Sequence, residues 1–147
     1  MRCFPARPSS DEQESGSAVL EFIFLGLVLL VPVVYFVLTI GQLQAGSFAV
    51  VGAADQAAKV YVAEASAPEA TALAHQAAAL VLSDFGFESS DAEIDIRCNG
   101  ECLAPGSSVT VDVRLGISLP FVPSARGTHD SAATVSSTAT QLVERFR

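Results

Sequence analysis

SGSAVLEFIFLGLVLLVPVVYFVL, residues 15–38, is an apolar run with a single acid, Glu21, at its leading edge. No charged residue follows until Asp55, and within 22–40 only Thr39 is clearly polar. About 20 apolar residues rising about 1.5 Å each cross a hydrocarbon core of about 30 Å. A buried helix of a soluble protein rarely stays apolar on every side for so long. Pro32 lies inside the run. A membrane helix tolerates an internal proline, at the cost of a kink, better than a soluble helix does. The stretch therefore reads as a membrane helix, and the rest of the chain must be arranged around it.

An ordinary secretory signal fits less well. Its apolar region is shorter, about 7–15 residues, and its leader is basic. Here Asp11, Glu12 and Glu14 precede the run, and LQAGS at 43–47 is a weak cleavage candidate. Arg2 and Arg7 stand before the helix, and Lys59 is the first basic residue after it. The positive-inside rule then puts the amino terminus in the cytoplasm and the remainder outside. The 147-residue chain carries a net charge of −8, with 8 scattered basic residues. Such a chain is unsuited to nucleic acid, whose phosphates need clustered Lys and Arg. Nor does it hold a polybasic cluster for anionic lipid.

Beyond the run, 42–66 has no proline. Val51, Ala54, Ala58, Tyr61, Val62 and Ala65 recur at helical spacing, so the first helix is expected to run from near Ser17 to about Ala65. Gly41, Gly46 and Gly52 mark bends or close contacts in it. A second helix is read in SAPEATALAHQAAALVLSDFG. Ser66 and Glu69 have capping-box spacing, Pro68 suits a first turn, and Gly86 is a stop. Leu73, Ala77, Leu80 and Val81 form its expected apolar stripe, with His75 off it and exposed. AEIDIRC, 92–98, alternates cleanly, and so do Val109, Val111, Val113, Leu115, Ile117 and Leu119 against Thr110, Asp112 and Arg114. Asn99-Gly100 and Pro105-Gly106 mark the turn region between these strands. A third strand is read in SAATVSSTATQLVERF, after a Pro-bounded loop at 120–130. The expected fold is α+β: a long N-terminal transmembrane helix continuing into a small domain, with a second helix packed on a short antiparallel sheet of about three strands.

Glu21 raises a separate question. A charge at a membrane helix centre costs about 2.5–3.5 kcal/mol, and less at the entrance, where it can reach water. A boundary carboxylate also suits the helix dipole. Gly16 stands five positions before it, and GSAVLEF, Gly16 to Phe22, resembles the processing site of type IV pilin-like proteins. Together with AGSFAVVGAADQAAKVYV and with CNGECLAPGSSVTVDV, a C-x-x-x-C followed by a Pro-Gly turn and alternating valines, the chain resembles the TadE-like minor pilins (pseudopilins) of tight-adherence pilus systems over most of 15–147. The resemblance implies a cut between Gly16 and Ser17 by a prepilin peptidase. It also implies that Glu21, followed by Phe22, meets the new amino terminus of a neighbouring subunit. Opposite charges attract strongly in low dielectric and relieve each other's desolvation. The division then expected is a cytoplasmic, cleaved leader at 1–16, a transmembrane helix at 17–42 and an extracytoplasmic domain at 43–147. The implied partners are the lipid bilayer of the bacterial cytoplasmic membrane, the peptidase, other pilin or pseudopilin subunits and the tight-adherence membrane platform.

With the domain outside, Cys98 and Cys102 are expected as a disulfide, worth about 2 kcal/mol for so short a loop. The alternative, structural zinc, needs four ligands, and no His or further Cys pair lies near them in the sequence. Cys3 falls in the leader. Glu88, Asp91, Glu93 and Asp95 match no calcium-loop spacing and read as a solvated strand face. No G-x-S-x-G, H-E-x-x-H, Walker or dinucleotide fingerprint occurs, and His75 and His129 fall in different elements. The expectation is a structural subunit with no catalytic residues, cofactor or metal. The alternative is an uncleaved, membrane-anchored extracytoplasmic scaffold or binding module unconnected with pili.

Overall fold

Alanine-rich and apolar sequence with a single internal proline favours one long helix. Helix α1 runs Asp11–Ala63 and passes through Pro32. That proline has no N–H to offer the Val28 carbonyl, so one bond of the ladder is missing there. A computed structural model describes the backbone of residues 11–118 and 133–144, and the side chains from Ser17 onward within them. Residues 1–10 of the expected leader with Cys3, Leu119, the loop at 120–130 with His129, residues 131 and 132, and residues 145–147 lie outside the described residues. The helix begins earlier than Ser17 and ends before Ala65. Asp11, Glu12 and Glu14 are residue types favoured in a first helical turn. At the other end, the chain turns extended at Ser66, with φ −128° and ψ 139°.

The chain divides into two compact units, Met1–Leu38 and Thr39–Arg147. In the first, the described side chains are almost all exposed, including Val19, Leu20, Phe22, Ile23 and Phe24. In the second, α1 supplies Ala49, Ala53 and Ala57, with Val50, Ala54, Ala58 and Tyr61 beside them, to the buried core. Ala54, Ala58 and Tyr61 match the expected face. Val51 does not: it is 55% exposed. The buried face centres on the alanines because small side chains let backbones approach.

Helix α2 spans Ala67–Asp84 and is corrected in the same sense. Its buried column is Ala70, Ala74, Ala78 and Leu82. Leu73, Ala77 and Val81 are half-buried at its margin, and Leu80 is 65% exposed. The capping box is not made: the Ser66 hydroxyl lies 3.4 Å from the Glu69 carboxylate and caps no backbone N–H. At its end, Gly86 has φ +81°. Its N–H donates to the Ser83 carbonyl at 2.9 Å, and that of Phe87 to the Leu82 carbonyl at 3.0 Å, a Schellman ending.

A 3-10 turn, Ser89–Asp91, leads into three strands: β1 Ala92–Asn99, β2 Ser108–Ile117 and β3 Ala133–Leu142. They form one antiparallel sheet in the order β1-β2-β3. The register sets Ile94 opposite Val113 and Ile96 opposite Val111. On the other side it sets Val135 opposite Leu115 and Ala139 opposite Val111. One face is therefore apolar, centred on Val109, Val111, Val113, Leu115 and Ile117, which are buried. Burying each is worth about 1.5–3 kcal/mol at most. The other face is polar. Arg114 Nε lies 3.2 Å from Asp112, Arg97 Nε lies 3.2 Å from Asp95, and the Thr138 hydroxyl donates to Asp112 at 2.7 Å. Helices cover only the apolar face, as a half-solvated antiparallel sheet allows.

Candidate functional site: the head of the apolar helix

The backbone of Gly16 and Ser17 lies within the early turns of α1. A peptide bond must leave its helix before a peptidase can act on it. Glycine lowers the barrier, because it disfavours the helix interior by about 1 kcal/mol relative to alanine. Ser17 and Glu21 are four residues apart, so they share one helix face about 5–6 Å apart at Cβ. Glu21 is exposed and, among the described residues, has no hydrogen bond or ion pair. Phe22, beside it, is 77% exposed. The helix from Ser17 to Ala63 is long and apolar enough to cross a membrane, and its most apolar window is buried nowhere. An apolar surface of that extent does not stay in water unaided. The carboxylate thus stands at the head of a lipid-compatible surface with nothing from its own described chain to neutralise it.

Cys98 and Cys102 form a disulfide, with Cα atoms 5.4 Å apart. Cys98 lies in β1 and Cys102 in the following loop, and both pack against the core. The Tyr61 hydroxyl of α1 lies 3.9 Å from Cys98 Sγ. A bonded sulfur has no proton, so the hydroxyl is the donor of that weak contact. Leu103, next in the chain, has φ +67°. A side chain in that region costs roughly 1–2 kcal/mol, and Leu103 is held there while packed against the core. Sequence reasoning had no signal for this strained leucine or for the tyrosine contact.

The glycines of α1 separate by what they face. A Cβ built on Gly46 would lie 2.5 Å from Ile117 Cδ1, and one on Gly52 would lie 3.1 Å from Val81 Cγ1. A Cβ on Gly41 would meet nothing within 4 Å. Gly46 and Gly52 are thus close contacts to the sheet and to α2. Glu88, Asp91, Glu93 and Asp95 are all exposed, as a solvated face requires. His75 is exposed beside a shallow hollow that Gln76, Ser89 and Ile94 help to line. Among the described residues, no three His, Cys, Asp or Glu side chains could hold a metal ion together. No protein family, curated protein or solved structure matches the chain.

Proposed function

We propose that this chain is a membrane-anchored structural subunit of the TadE-like pseudopilin type, without catalytic activity of its own. A prepilin peptidase cuts between Gly16 and Ser17 at the cytoplasmic side of the bacterial inner membrane. The helix stays in the bilayer, and the α+β domain stands outside the membrane. There it assists assembly of a tight-adherence, type IV-like pilus with other pilin subunits and the membrane platform. The observation that carries this reading is the conjunction at the head of α1. A glycine, a glutamate five positions on and an uninterrupted exposed apolar helix belong to the same element that enters the domain core. The Cys98–Cys102 disulfide supports an oxidising compartment for the domain.

In this reading Glu21 is unfavourable in the lone subunit and satisfied in the assembly. Cleavage creates an ammonium on Ser17, one helical turn from Glu21 on the same face. A neighbouring subunit shifted along the membrane brings its own ammonium to that carboxylate, and each charge loses less than it would in bare lipid.

The test is the amino-terminal residue of the protein purified from its native membrane, by intact mass and terminal peptide mapping. A start at Ser17 is expected. A start at Met1 overturns processing and leaves an uncleaved anchored scaffold. A start near residue 46 would mean signal-peptidase cleavage and loss of the anchor.

A further inference from the structure

Within the second unit, α1 and α2 do not expose the same kind of surface along their length. α1 ends at Ala63, α2 begins at Ala67, and a Cβ on Gly52 would lie 3.1 Å from Val81 Cγ1. α2 therefore runs back along α1, antiparallel to it. One turn beyond that crossing stand Phe48 on α1 and Phe85 at the end of α2. They are 68% and 45% exposed. Val51 and Leu80, beside the crossing, are exposed as well. All four lie in the half of the helix pair that the chain enters from Thr39.

The other half is different. From Gln56 to Gln76 no large apolar side chain is exposed among the described residues, and the outward positions include Gln56, Lys59, Glu69, Thr71 and Gln76. The change falls along one face of α1. Phe48 and Val51 are followed there by Asp55 and Lys59, whose ion pair measures 2.6 Å. Leu142, at the end of β3 away from Gly46, is a solitary exposed leucine of the kind that surfaces commonly carry.

This gradient selects the occupant. A neighbouring protein packed sideways would meet both halves of the helix pair, apolar and polar alike. A bilayer meets only the end at which the membrane helix enters, and its polarity changes in the same direction. Lengths agree. The expected span ends at Gln42, and Phe48 is about 9 Å further along the helix. The polar layer of a bilayer adds about 5–8 Å beyond the hydrocarbon. A helical Cβ leans toward the helix N-terminus, so Phe48 reaches back toward that layer. Phe85 stands at the same level on α2. Asp84 and Glu88, its neighbours in the chain, are exposed acids. They limit the depth to the headgroups and favour neutral lipid over anionic.

We infer that the α+β domain has a lipid contact of its own: Phe48 and Phe85 seat its near end in the headgroup layer of a neutral membrane surface, with Val51 and Leu80 at the rim. The inference rests on α1 crossing the membrane, and not on cleavage after Gly16 or on a pilus.

The chain contains no tryptophan, so one introduced at a time reports its own surroundings. The full chain is reconstituted in phosphatidylcholine vesicles whose lipid is brominated near the headgroup, a contact quencher. Quenching of Phe48→Trp and of Phe85→Trp should exceed that of Ala72→Trp, in the far half, by at least about twofold. Leu30→Trp, in mid-span, should be quenched by lipid brominated deep in the acyl chain. If Leu30→Trp is quenched while the two phenylalanine variants are quenched no more than Ala72→Trp, the inference is overturned and the anchor stands. If Leu30→Trp escapes quenching, anchor and inference fall together. Blue-shifted but unquenched emission at 48 and 85, reverting as the protein is diluted in lipid, would place a second copy on the patch and overturn the inference. Quenching that needs added phosphatidylglycerol overturns it too, because the acids beside Phe85 repel an anionic surface. Should either variant lose the circular dichroism of the parent, Ser47→Trp and Ser83→Trp, at exposed neighbours, take its place.

Discussion

Gly46 and Gly41 are the same residue type five positions apart on one helix, with opposite roles. A Cβ at Gly46 runs into Ile117 Cδ1, with Ile117 Cγ1 at 3.3 Å and Val135 Cγ2 at 3.4 Å behind it. Ile117 is 1% exposed and has little room to move. Gly46→Val should therefore destabilise the domain by about 1–3 kcal/mol through overpacking. Gly41→Ala meets nothing and should stabilise the helix by about 0.5–1 kcal/mol. Thermal unfolding of both variants in the same detergent checks the pair. An unchanged midpoint for Gly46→Val would show that the helix and sheet are not in that contact. The sequence reading flagged both glycines alike, because a glycine reports a need for space without saying whether space is used. Gly16 and Glu21 were legible only as a pattern of residue types at a spacing. Nothing within the described chain neutralises Glu21, and periodicity does not report what would.

Strands were read more faithfully than helix faces, and for a physical reason. In β2 every second residue is large and apolar, so a period of two identifies both the element and its buried side. In α2 the large residues Leu73 and Leu80 drew the stripe, but the column that packs is Ala70, Ala74, Ala78 and Leu82. Hydrophobicity weights a leucine above an alanine, whereas close packing of two helices selects for small size. Leu82→Ala should cost about 2–5 kcal/mol. Leu80→Ala should fall within about 0.5 kcal/mol of the parent. Chemical denaturation of the two variants measures this directly, and equal losses would restore the stripe read from sequence. The Ser66 cap failed for a related reason. Capping-box spacing was present, but Pro68 occupies the first turn and the serine hydroxyl turns to Glu69 instead.

One element, α1, combines a membrane-length apolar surface with the alanine face of the domain core. A helix long and apolar enough to cross a membrane predicts integral anchoring, and alkaline carbonate extraction tests it. The protein should stay in the membrane pellet and come free only in detergent. Release by carbonate would make the apolar helix a peripheral or removed segment. The same arrangement constrains how the protein is made. Synthesis delivers α1 first and β3 last, so the helix face at 49–58 must wait, uncovered, for the sheet that will bury it. Alanine suits that interval, because it exposes far less apolar area than valine or leucine while the chain is incomplete. The large apolar residues of β2 arrive only after both helices already exist to receive them. Maturation of the domain is thus scheduled by chain order, with the stickiest strand among the last to emerge.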